Sequence, residues 1–239
     1  MKTLGVIGGL GPMATAYFME LVTNMTDAAS DQEHLDILIF SRPRTPDRTG
    51  YILGRSSENP LPVMADSARR LAADGAQVLA IPCNTAHYFH TQVQEAAGVP
   101  VLHMIRESAA YLKACGIEKA GIMATDGTIQ TGLYQKELGA NGIAWTVPSE
   151  AGQQHVMHLI YENVKAGRPA EMDRFHAVNE ELQRDGAQAV LMACTELSVI
   201  KKQFDLGSGI LDALEVLAKT AVEMCDAPLR EAYRELITG

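Results

Sequence analysis

Aromatic side chains are scarce, 5% of 239 residues with a single tryptophan. A core short of large rings has to be filled by aliphatic and small residues, a mix suited to helices packed closely on parallel strands. Positive charge is also short: 20 Lys and Arg stand against 29 Asp and Glu, for a net charge of −9. General electrostatic attraction to nucleic acid is thereby excluded, and any anionic ligand needs a local cluster of cations. No segment approaches the roughly 20 apolar residues that span a bilayer. The opening MKTLGVIGG lacks the pattern of a cleaved leader, so the cytoplasm is the expected location, with no membrane partner. Only four cysteines occur, Cys83, Cys115, Cys194 and Cys225. They form no CxxC pair and no zinc-like spacing, so they are expected to be free thiols with no metal.

What is present is an ordinary globular balance, 47% apolar and 21% charged, at a length that suits one large domain or two small ones. Short Val/Ile/Leu-rich runs alternate with helix-periodic stretches. Strands are predicted at Thr3–Ile7, Leu35–Phe40, Gln77–Ile81, Val99–Leu102, Lys119–Ala124, Ala144–Val147 and Ala187–Met192. Helices are predicted at Ala14–Ala28, Leu61–Asp74 and Met172–Asp185, among others. This rhythm predicts an α/β protein with mainly parallel sheets flanked by helices.

The chain repeats itself. Asp74–Thr85 reads DGAQVLAIPCNT and Asp185–Glu196 reads DGAQAVLMACTE. In each, a helix ends at Asp-Gly, a strand follows, and a cysteine closes the strand. Val101–Leu112 likewise parallels Ile210–Ala221. Two pseudo-symmetric lobes are expected, one from residues 1–103 plus 210–239 and the other from 104–209, with the active site between them.

Ligands of open parallel sheets bind beyond the carboxyl ends of the strands. Cys83 and Cys194 lie there, at equivalent repeat positions. Free cysteines are often just buried packing residues, but two at matching strand ends, each followed by polar residues, favour a shared site. Asn84 and Thr195 are good helix caps, which places each thiol at a helix N-terminus, where thiolate is favoured. A nucleophilic cysteine usually works with one histidine, and His87 is available for that role. Two equivalent thiols suit symmetrical chemistry instead: one removes a proton from one face of a carbon while the other delivers a proton to the opposite face.

Five motifs, in order along the chain, carry a resemblance: GVIGGLGP from Gly5, PDRT at Pro46–Thr49, IPCNTAH at Ile81–His87, ATDGT at Ala124–Thr128 and ACTEL at Ala193–Leu197. With them the sequence resembles the aspartate/glutamate racemases, in the aspartate racemase branch. The resemblance implies two α/β lobes and racemisation of an acidic amino acid, with no pyridoxal phosphate or metal. It makes Cys83 and Cys194 the two bases and Arg48 the partner of the substrate's side-chain carboxylate. Lys165 becomes a second cation near the site, and Asn84, Thr85, Thr125 and Thr195 contacts for the α-amino and α-carboxylate groups. Ala193 departs from the family, which more often has Gly before the second cysteine.

Other features have plainer readings. Gly9-Leu10-Gly11-Pro12-Met13-Ala14 fits a dinucleotide fingerprint, but no acidic residue follows the second strand to hold a ribose, so a tight loop with Pro12 opening a helix is preferred. Arg42 and Arg44 are read as a solvated loop. Cys83, His87 and His90 share helical spacing without further ligands, and His87 is read as a packing or supporting residue. Cys115 and Cys225 are read as packing residues in helices. The expected partner is a small amino acid, and a homodimer is the default assembly. Alternatives are a related cysteine-dependent isomerase or decarboxylase of small acids, or an inactive small-molecule binding protein.

Overall fold

The computed structural model describes residues 1–239. The chain divides into two compact units, Met1–Met104 with Leu214–Leu236, and Ile105–Ala213 with Ile237–Gly239.

The first unit runs β1 (Leu4–Gly8), α1 (Pro12–Met25), β2 (Ile37–Ser41), α2 (Arg48–Ile52), α3 (Leu61–Ala73), β3 (Val78–Ala80) and α4 (His90–Ala97). Its sheet is parallel, in the order β2-β1-β3. α1 begins with Pro12 in its first turn, as expected. The Gly-rich loop before it has a steric cause: Gly9 has φ +85, and a Cβ there would stand 2.3 Å from the backbone N of Arg42. Close approach of two backbones therefore accounts for that glycine without a dinucleotide.

The second unit contains α5 (Met104–Ala114, whose first residue belongs to the other unit), β4 (Lys119–Ala124), α6 (Asp126–Gln130), α7 (Leu133–Ala140), β5 (Ala144–Thr146) and α8 (Glu150–His158). It continues with α9 (Met172–Arg184), β6 (Ala189–Ala193), α10 (Thr195–Gln203) and β7 (Ile210–Asp212). The parallel sheet order is β5-β4-β6-β7. The last helix, α11 (Ala213–Met224), falls almost wholly in the first unit. No helix is long and apolar enough to cross a membrane.

The repeat is realised bond for bond. α3 buries Met64, Ser67, Ala68 and Leu71, and α9 buries Phe175, Val178, Asn179 and Leu182, the same i, i+3, i+4, i+7 face. Each helix ends at an Asp followed by a left-handed glycine, Gly75 at φ +104 and Gly186 at φ +88. Ala76 N then donates to Leu71 O, and Ala187 N to Leu182 O. Gln77 N donates to Thr3 O, and Gln188 N to Lys119 O. The strands pair in one register: Leu4 faces Val78 as Ala120 faces Ala189.

Three expectations need correction. Val99–Leu102 contributes only an isolated bridge, Val101 to Leu79, because Pro100 has no N–H to extend a ladder. The matching segment Ile210–Asp212 does form a strand, which the sequence reading left out. Residues 210–213, assigned from sequence to the first lobe, lie in the second unit because β7 pairs with β6. The last three residues join them there, with Thr238 bonded through its backbone to Gly209 and Ile210.

Candidate active-site residues

In the first unit, two turns follow the carboxyl ends of β2 and β3. Arg48 opens α2 behind Asp47, whose side chain caps the helix by accepting from Gly50 N at 2.6 Å. The Arg48 guanidinium is buried and donates from Nη2 to Leu10 O at 2.6 Å, and from Nη1 to Pro46 O at 3.1 Å and Thr45 O at 3.4 Å. It thus ties its own turn to the loop after β1, a structural duty the sequence did not reveal. Arg42 is not simply solvated: it pairs with Asp66 of α3 at 2.6 Å. Arg44 is exposed, as expected for a loop cation.

Cys83 follows β3 by three residues, and its N donates to Ile81 O at 2.7 Å. Asn84 and Thr85 are buried beside it. The next segment, Thr85–Phe89, is a 3-10 turn, and Asn84 has helical backbone angles and makes no side-chain cap. The expected Asn84 cap is therefore absent. His87 fixes this turn. Met104 N–H donates to Nε2 at 3.1 Å, so the proton sits on Nδ1, which donates to Cys83 O at 2.9 Å. With both nitrogens committed to main chain, His87 is a support for the cysteine loop. Burial pushes its pKa down to about 4.

In the second unit, Ala124 pairs with Ala193, so Thr125 and Cys194 leave neighbouring strands together. Thr125 caps α6, its hydroxyl accepting from Thr128 N at 3.3 Å. Cys194 itself is the N-cap of α10, with Thr195 already helical and no side-chain cap bond. The thiol is buried and donates to Glu196 Oε2 at 3.0 Å. Lys165 Nζ lies 3.9 Å from the other oxygen, Oε1, and 4.1 Å from the centre of the Tyr161 ring.

The expected bias toward thiolate at Cys194 is overturned. Burial first, and then the Glu196 charge, push its pKa well up, with Lys165 opposing. Magnitudes explain the outcome. A helix N-terminus favours a nearby anion by about 0.3–1 kcal/mol, up to about 2. Full burial moves a group by up to about 3–5 pKa units, each about 1.4 kcal/mol.

Lys165 was expected near a helix end. It follows a π-helical segment, Leu159–Val164, and its N donates to Ile160 O. Such segments are rare and cluster at functional sites. Asn163 anchors this one: its side chain accepts from Glu171 N at 3.2 Å, and Glu171 also binds His158 and Arg174. The Arg174 bond first, then His158 and the Asn163 amide donating to Oε1 at 3.4 Å, hold the Glu171 pKa down at about 2.

The sequence reading gave Glu196 no role, although an acid two residues after a strand-end cysteine was visible. Cys115 was also expected to be a packing residue within a helix. α5 ends one residue earlier, and Cys115 is exposed ahead of the left-handed Gly116. Cys225 is buried as expected, with its pKa pushed up to about 11 by burial.

Comparisons with known proteins agree across nearly the whole chain. The family model described as Asp/Glu/Hydantoin racemase matches residues 7–221. The chain is 28% identical over 228 residues to the broad specificity amino-acid racemase RacX of Bacillus subtilis (strain 168), covering 92% of this chain and 96% of that one. Among solved structures, Picrophilus torridus aspartate racemase superposes with a TM-score of 0.83 at 29% identity, covering 98% of both chains. Glutamate racemase from Francisella tularensis subsp. tularensis SCHU S4, in complex with D-glutamate, shares the fold alone. Its TM-score is 0.65 at 18% identity, over 93% of this chain and 80% of that one.

Proposed function

The chain belongs to the Asp/Glu/hydantoin racemase family and is an amino-acid racemase, an isomerase; from that premise we propose that it interconverts the enantiomers of aspartate or glutamate by two-base proton transfer between Cys83 and Cys194. The observation that carries this reading is the duplicated strand–turn unit. It leads to Cys83, three residues past β3, and to Cys194, directly after β6, through equivalent helix-stop and strand-entry bonds. One sulfur removes the α-proton from one face and the other returns a proton to the opposite face. Racemisation by this route needs no electron sink beyond the substrate's own carboxylate, so the reading includes no cofactor.

Arg48 supplies a cation in an acidic protein, with planar geometry matched to a carboxylate. Asn84, Thr85, Thr125 and Thr195 supply short polar groups around the two sulfurs for the α-amino and α-carboxylate groups. Lys165 contributes positive charge on the Cys194 side. The name of the Picrophilus relative favours aspartate, and that of RacX favours a wider range.

The test is a chiral assay over a panel of L- and D-amino acids, on protein dialysed exhaustively against chelator with nothing added back. Aspartate or glutamate should racemise, and Arg48→Lys should lower kcat/KM for acidic substrates more than for neutral ones. Turnover confined to neutral amino acids would reject the acidic assignment. Activity that returned only with pyridoxal phosphate would reject the two-thiol chemistry. Decarboxylation or binding without α-proton exchange would favour the other readings of the sequence.

A further inference from the structure

The two cysteines follow equivalent strands but differ in their chemical setting, and the chemical difference lies at Glu196. We propose that Glu196 is a positioning residue that holds the proton on Cys194, so that Cys194 enters the catalytic cycle as the thiol and Cys83 as the thiolate. This rests on the two-base reading and adds to it an assignment of which sulfur starts protonated.

The geometry is local to the second unit. The Cys194 thiol donates to Glu196 Oε2 at 3.0 Å, and the carboxylate is itself buried, 7% exposed. An ionised sulfur at that distance would face a negative oxygen with little water to screen the pair. The repeat-equivalent position after Cys83 is Thr85, which carries no charge. Lys165 stands on the far side of the carboxylate, 3.9 Å from Oε1 and over the Tyr161 ring. There its positive charge opposes the effect of Glu196 on the sulfur. The remaining titratable neighbours add no second cation on the Cys194 side. Asp212 of β7 accepts from Ser198 Oγ at 2.7 Å, and the Tyr134 phenol of α7 is pushed up by burial, Asp212 and Cys194. Burial acts on Cys194 in the same sense as Glu196.

The proton count follows. The Cys83 thiolate takes the proton from Cα, becoming a thiol and leaving the electron pair on the substrate carbon. The Cys194 S–H delivers its proton to the opposite face of that carbon and becomes the thiolate. Glu196 makes this second form the costlier one. It is relieved when Cys194 takes a proton back, from the opposite enantiomer or from solvent.

The experiment is peptide-resolved alkylation by iodoacetamide from pH 6 to 11, without substrate, so that all four cysteines are read in one sample. Circular dichroism first checks that each variant is folded. In Glu196→Gln the Cys194 midpoint should fall by about one to two pH units, with Cys83 unmoved. Glu196→Asp should fall between the two, and Lys165→Gln should shift the Cys194 midpoint upward. The upward shift keeps the proposal testable if Glu196→Gln does not fold. An unmoved Cys194 midpoint in both Glu196→Gln and Lys165→Gln, or equal movement of Cys83, would overturn the assignment. Because no substrate is present, a chain that racemises with an unmoved midpoint fails this inference alone. A chain whose midpoint shifts but which racemises nothing fails the functional reading alone.

Discussion

The segments that lead into β3 and β6 are built on one main-chain plan, and the turns that follow them are furnished differently. Both halves end a helix at Asp-Gly, pair a short strand in the same register, and release a cysteine. Beyond the cysteine they diverge. Four residues after Cys83 stands His87, neutral and bonded to the cysteine's own carbonyl. Four residues after Cys194 stands Ser198, bonded to Asp212, while Glu196 reaches back to the sulfur. Backbone bonds depend on glycine placement and helix length, which duplication copies intact. Side chains around a thiol set its proton affinity, and each half has been free to set its own.

The largest effect should come from removing either sulfur. Cys83→Ala and Cys194→Ala should each lower racemisation by at least about 10²–10⁴-fold, the usual contribution of a positioned acid or base. The comparison sharpens in heavy water. Under the proposed two-base mechanism each variant keeps one thiol facing one side of Cα, so residual deuterium incorporation should favour opposite enantiomers in the two variants. Chiral chromatography with mass detection reads both quantities. Full racemisation by either variant would reduce the matched cysteines to structural residues.

The copied features were legible in the sequence, and the divergent ones were not. The apolar spacing of α3 and α9, the Asp-Gly stops and the strand-end cysteines are local patterns, and the fold follows them. The pairing of Glu196 with Cys194 depends on a side-chain rotamer and on burial, which no spacing encodes. The carbonyl contacts of Arg48 join turns 38 residues apart, from Leu10 to Arg48. The π-helical segment before Lys165 is held by Asn163 and Glu171 across a loop. The 3-10 turn after Cys83 is not legible from residue type, because Asn84 is a good cap by type yet makes no cap bond.

The histidine on the Cys83 side should be as fixed as its bonds imply. His87 is buried with a pKa of about 4, below the usual value near 6.5. The unfolded chain therefore binds a proton that the folded chain refuses. This stability is whole above pH 6.5 and is lost as pH falls toward 4, by about 3 kcal/mol. His87→Gln should cost about 1–3 kcal/mol at pH 7, because one amide group cannot both accept from Met104 N–H and donate to Cys83 O as the ring does. The gap between wild type and variant should then close or reverse by pH 4, because wild type loses about 3 kcal/mol that the variant does not. Urea unfolding at a series of pH values measures the gap, in which acid effects common to both proteins cancel. A gap independent of pH would mean that His87 is charged or solvated.

The smallest effect should separate two glycines that the repeat makes equivalent. Gly5 of β1 and Gly121 of β4 each lie beneath the Leu and Ala that flank an Asp-Gly stop. A Cβ on Gly5 would stand 2.3 Å from Leu79 Cδ2 and 2.7 Å from Ala76 Cβ. On Gly121 the nearest atoms are Leu182 Cβ at 3.0 Å and Ala187 Cβ at 3.2 Å. The first site has to displace a fully buried leucine and press on a methyl with no rotamer to change, an overpacking cost of about 1–3 kcal/mol. The second yields with shifts of a few tenths of an ångström, and the lower backbone entropy of alanine in the unfolded chain returns about 0.4–1 kcal/mol. Gly5→Ala should therefore lower stability by about 2 kcal/mol more than Gly121→Ala. Equal losses in urea unfolding of the two variants would mean that the β1–α3 packing is as roomy as its copy between β4 and α9, and that the halves differ only at their cysteines.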